Sequence, residues 1–213
     1  MGQQLLVCPL PAFIADVPSQ ACPVRFDQIQ RIMFTRLSST PFTTTDILLE
    51  ATWTPRMIAS DDEKIVGTPK FAGLVLPMPD PIRTGGDDNS TINGIPVLEG
   101  LARVSITGLL IRNMNAAVAK ALRALASESA PQPGETGLGA YFITRYKNII
   151  FNKNGSNAEP FPVYNVVLSD VGSEGLNKDN THSLSFDLEG GWSADFDQLA
   201  ITAFNPLTIK NAT

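Results

Sequence analysis

Histidine is nearly missing from this chain: His182 is the only one in 213 residues, and cysteine occurs twice, as Cys8 and Cys22. General acid-base, nucleophilic and metal-assisted catalysis draw mostly on His, Cys and clustered Asp or Glu. His182 lies in a stretch rich in Ser, Asn and Thr, with no nucleophile beside it in a recognisable setting. No catalytic residue is therefore assigned, and the chain reads as non-enzymatic. Two cysteines in a chain of this length are not a disulfide framework, and the reading favoured is two reduced thiols in a cytoplasmic product.

Charge is scarce as well, since Asp, Glu, Lys and Arg make up 17% of the chain against the usual ~25%. A surface so poor in charge suits a subunit covered by neighbours. The net charge is -5, which leaves no basic stripe for gripping phosphates, so specific nucleic-acid binding is not expected. An acidic wall would instead repel nucleic acid and let it slide past. No apolar run reaches the ~18 residues of a membrane span, and the opening MGQQLLVCPLPAF has no basic region ahead of its apolar patch. No membrane partner is expected, and position 6 holds Leu6 where a myristoylation pattern needs Ser or Thr.

The acidic pairs Asp61-Asp62 and Asp87-Asp88 lack the alternate ligands and distal Glu of a calcium loop and read as solvated turns. Gly85-Gly86 and Gly190-Gly191 lack the strand, helix and Lys-Ser/Thr context of a phosphate loop. No metal, cofactor or small-molecule substrate is assigned. Trp53 and Trp192 are read as core or interface aromatics, with a sugar-stacking platform as the alternative.

What is present is strand alternation broken by proline and glycine. Residues 1–23 hold Pro9, Pro11, Pro18 and Pro23, which block helix and central strand, so this segment reads as an extended arm. Leu5, Leu6, Phe13 and Ile14 make it apolar enough to lie on a surface, a neighbour's included. A strand with an irregular middle is expected from Val24 to Phe34. Thr45 reads as the N-cap of a short helix that Pro55 ends or interrupts. Two short strands follow over 64–68 and 71–76. Residues 77–100, with Pro77, Pro79, Pro81, Gly94 and Pro96, read as a long protruding loop whose Ile82, Ile92 and Ile95 have contacts to make.

Ala102, Val104, Ile106, Gly108 and Leu110 share one face of a strand. Asn115 then caps a helix over 115–128, with Val118, Leu122 and Leu125 on one stripe. From 140 onward the pattern is strand after strand, over 140–146, 148–151, 161–169, 183–188 and 199–204. The expected fold is mainly β: one domain, an antiparallel β-sandwich or barrel with one central helix, an extended N-terminal arm and a long protruding loop.

In this order of elements the chain resembles bacteriophage virion structural proteins, and is similar to tail-tube subunits and the related tube protein of type VI secretion. The arm at 1–23, the loop at 77–100, the helix at 115–128 and the closing strands from 140 to 204 carry the resemblance. It implies a homo-oligomer: copies join into rings, hexamers among them, and the rings stack into a tube through which DNA passes. Leu5, Leu6, Phe13, Ile14, Ile82, Ile92 and Ile95 are then the expected assembly interface, the partners are the chain itself and other virion proteins, and the place is the virion, assembled in the host cytoplasm. The rival readings are a capsid decoration or other head or neck protein, and a carbohydrate-binding module.

Overall fold

Alternating apolar side chains build strands throughout, and the computed structural model describes residues 26–86, 94–129 and 137–210. In chain order come β1 (Ile29–Arg36), β2 (Phe42–Thr43), α1 (Glu50–Ile58), β3 (Ile65–Gly67), β4 (Pro81–Thr84), β5 (Val97–Leu101), β6 (Val104–Arg112) and α2 (Ala116–Glu128). Then follow β7 (Leu138–Thr144), β8 (Asn148–Asn154), β9 (Asn157–Glu159), β10 (Phe161–Leu168), β11 (Gly172–Ser173), β12 (Asn180–Leu188) and β13 (Phe196–Ala200). Among the described residues eleven strands form one antiparallel sheet, while β4 and β5 pair only with each other. The protein is mainly β, as its patterning predicts.

The large sheet branches at β7. One edge of β7 carries β1 from Thr144 to Leu138; the other splits, pairing β10 at 138–140 and β8 at 142–143. The β10 branch continues through β12 to β6 and curls back toward β1. Ala72 and Val75 bridge Leu110 and Thr107 of β6, and the amides of Thr68 and Phe71 donate to the Ile32 and Gln30 carbonyls. Gly108, at φ +75°, makes that approach possible, because a Cβ there would overlap the Gly73 carbonyl. The expected sandwich or barrel thus takes the form of one branched sheet, curled and tied by isolated bridges in place of a continuous ladder.

Strand alternation then divides the interior in two. Ile32 and Phe34 of β1, Ala140 and Phe142 of β7 and Ile150 of β8 face the inside of the curl, where Leu122 and Leu125 of α2 meet them. Met33, Tyr141, Ile143, Ile149 and Phe151 point the other way, under Trp53 and Met57 of α1 and a C-terminal segment through Ile201, Phe204 and Leu207. Two buried faces explain why β7 is buried at every position, reading LGAYFIT with no polar alternation before Thr144.

Several expectations change. The strand expected from Val24 starts at Ile29, after a 3-10 turn at Phe26–Gln28 in which Phe26 packs edge-on against Trp192 and Phe196. The short helix expected after Thr45 is α1, and where Pro55 was expected to end or interrupt it the helix runs on to Ile58, because burial of Trp53 and Met57 outweighs one lost backbone bond. Thr45 makes no side-chain cap; Thr43 does that work, its hydroxyl accepting from the Asp46 amide at 3.0 Å. The loop over 77–100 contains the β4–β5 hairpin, and the last strand lies at Phe196–Ala200, earlier than 199–204. Helix α2, by contrast, sits where its stripe places it, with the Asn115 side chain accepting from the Val118 amide at 2.9 Å.

Candidate functional site

The buried polar groups His182 and Arg31 find carbonyl partners within the fold. His182 on β12 is 7% exposed, and its Nδ1 lies 3.1 Å from the Ser169 carbonyl oxygen. Among the described residues no three His, Cys, Asp or Glu side chains come together as a metal site, and no helix is long and apolar enough to cross a membrane. Trp53 is fully buried, its Nε1 donating to the Ile47 carbonyl at 2.8 Å, which removes it as a sugar platform. Trp192 is half-buried and lies edge-on to Phe26 and Phe161, so its ring is held in an aromatic cluster.

Arg31 is the group that sequence reasoning missed. It sits on β1 at 5% exposure and donates to the carbonyls of Thr68, Pro206 and Ile209 at 2.9, 2.9 and 2.6 Å. Burial pushes its pKa down to about 10, so it remains cationic near neutrality. The charge ties β1, the turn after β3 and the C-terminal segment together. Its place beside Met33 in the strand alternation was the available signal.

The surface feature of most consequence is the β4–β5 hairpin. Pro81 faces Leu101 and Thr84 faces Val97, with a bulge between Ile82 and Arg83. Ile82 and Ile95, both expected at an interface, are exposed here, and Val97, Leu98, Leu101 and Met78 join them. Leu5, Leu6, Phe13, Ile14 and Ile92 lie outside the described residues. A lone two-stranded hairpin is marginal in water, and apolar side chains clustered on one mark a contact surface. Two apolar runs flanking a Gly/Asp/Asn-rich stretch were the signal for pairing in place of a loop.

The hairpin is anchored at its base. The Ala102 amide donates to the Asp80 carbonyl at 2.8 Å, and Gly190 lets the turn after β12 press against it, since a Cβ at 190 would overlap the Leu101 carbonyl. Between that turn and the hairpin lies a groove of about 600 Å³. Ile82, Leu101, Phe161 and Trp192 give it apolar walls, and Glu99, Glu189 and Asp195 stand exposed around it. Nearby, β13 pairs only with β8, so its outer edge is unpaired among the described residues.

No protein-family model matches the chain, and no curated protein matches it in sequence.

Proposed function

We propose that this chain is a non-enzymatic structural protein of a phage particle, a tail-tube subunit whose copies join into stacked rings through which DNA passes. The observation that carries the reading is the β4–β5 hairpin, which stands apart from the main sheet and exposes Ile82, Ile95, Val97, Leu98 and Leu101. Such a surface is stable in water only when something covers it, and a scarcely charged chain with an open strand edge on β13 is suited to being covered by its own copies. Its partners are then itself and other virion proteins, with no cofactor. The net charge of -5 favours passage of DNA without capture.

The test is sedimentation of the wild type beside a variant carrying Ile82→Ser, Val97→Ser and Leu101→Ser. The wild type is expected to grow into large species as concentration rises, and the variant to remain small while keeping its cooperative unfolding transition. Equal assembly by both would remove the hairpin from the interface. A wild type that stays small at every concentration yet adheres to capsid shells would make it a decoration protein.

A further inference from the structure

We infer that the groove beneath the hairpin receives the β7–β8 turn of a second copy of this chain, a contact that rests on the assembly reading above and gives it a direction. That turn, Arg145-Tyr146-Lys147, is exposed throughout, with Tyr146 at 63%. Lys147 takes φ +66° and its amide donates to the Thr144 carbonyl, which holds the turn tight and displays its side chains. The Arg145 guanidinium lies 6.0 Å from the Tyr146 ring centre, a weak cation-π contact, and neither Arg145 nor Lys147 has a carboxylate partner among the ion pairs of the described residues.

The groove offers the converse. Its apolar walls suit an aromatic ring, and three carboxylates stand around them where the turn carries two cations. Among the described residues no Lys or Arg lines it, and the Glu189 carboxylate accepts from the Tyr164 hydroxyl at 2.9 Å. Opposed potentials of this kind steer encounter and set register. A copy cannot fill its own groove with this turn. Phe161 on the groove wall pairs with Ala140, four residues along β7 from Thr144, or roughly 13 Å at strand spacing. Ladders on both sides fix that distance. The contact is therefore between different patches of two copies, and contacts of that kind propagate head to tail into rings or filaments.

The test uses two full-length variants, one with Arg145→Glu and Lys147→Asp, the other with Glu189→Lys and Asp195→Lys, each checked for a wild-type unfolding profile. In sedimentation at low salt, each variant alone should need roughly tenfold or more higher concentration to self-associate than the wild type. Mixed in equal amounts they should recover, because each reversed patch then meets its complement and each unaltered patch does too. Folded variants that assemble like the wild type, or a mixture no better than its parts, would overturn the groove contact and leave the assembly reading standing. A wild type that never self-associates would overturn both.

Discussion

A buried arginine with only carbonyl oxygens for partners is costly unless it holds something in place, and Arg31 holds three segments far apart in the chain. Removing it strands the carbonyls of Thr68, Pro206 and Ile209 without their charged donor. Arg31→Ala is expected to lower unfolding free energy by about 2–4 kcal/mol, with the segment over 201–209 losing protection first in hydrogen exchange. A loss below about 0.5 kcal/mol, the range of surface substitutions, would show that the C-terminal segment packs without it. Residue types alone do not disclose this role. Strand alternation assigns Arg31 to a face, but only the return of a segment 175 residues away makes that face an interior.

At the scale of elements, Gly190 shows how a local exception serves a distant part. Its backbone lies against Leu101 at the base of the hairpin, where no side chain fits. Gly190→Ala should cost about 1–3 kcal/mol through overpacking, and the amides of β4 and β5 should exchange faster. Unchanged exchange there would mean that the hairpin is held by other contacts. Legibility in the sequence followed the locality of the cause. Helix α2 was readable because Asn115, Val118, Leu122 and Leu125 carry cap and stripe within a few turns. Strand β12 was readable because Leu184, Phe186 and Leu188 alternate. Helix α1 was readable as a short helix after Thr45, but its persistence past Pro55 was not, because that depends on Trp53 stacking against Phe42, a contact made in space. The hairpin was half readable: Ile82 and Ile95 were marked as contact residues, while the pairing of Arg83 with Leu98 bridges a stretch rich in Gly, Asp and Asn that reads most simply as loop.

For the whole molecule, the curled sheet and its two buried faces satisfy the core, and what they leave outside is apolar on the hairpin, basic at one turn and acidic at one groove. A monomer gains nothing from that distribution. On the assembly proposed above, copies arranged head to tail would bury the hairpin and neutralise the two charged patches at once, and a closed ring of such contacts would leave no end. On the same proposal, the remaining negative charge would favour a channel that DNA crosses without sticking. Negative-stain electron microscopy of the purified wild-type protein across a concentration series tests this most directly. Rings or tubes with a central channel are the predicted result, and discrete small particles at every concentration would contradict it.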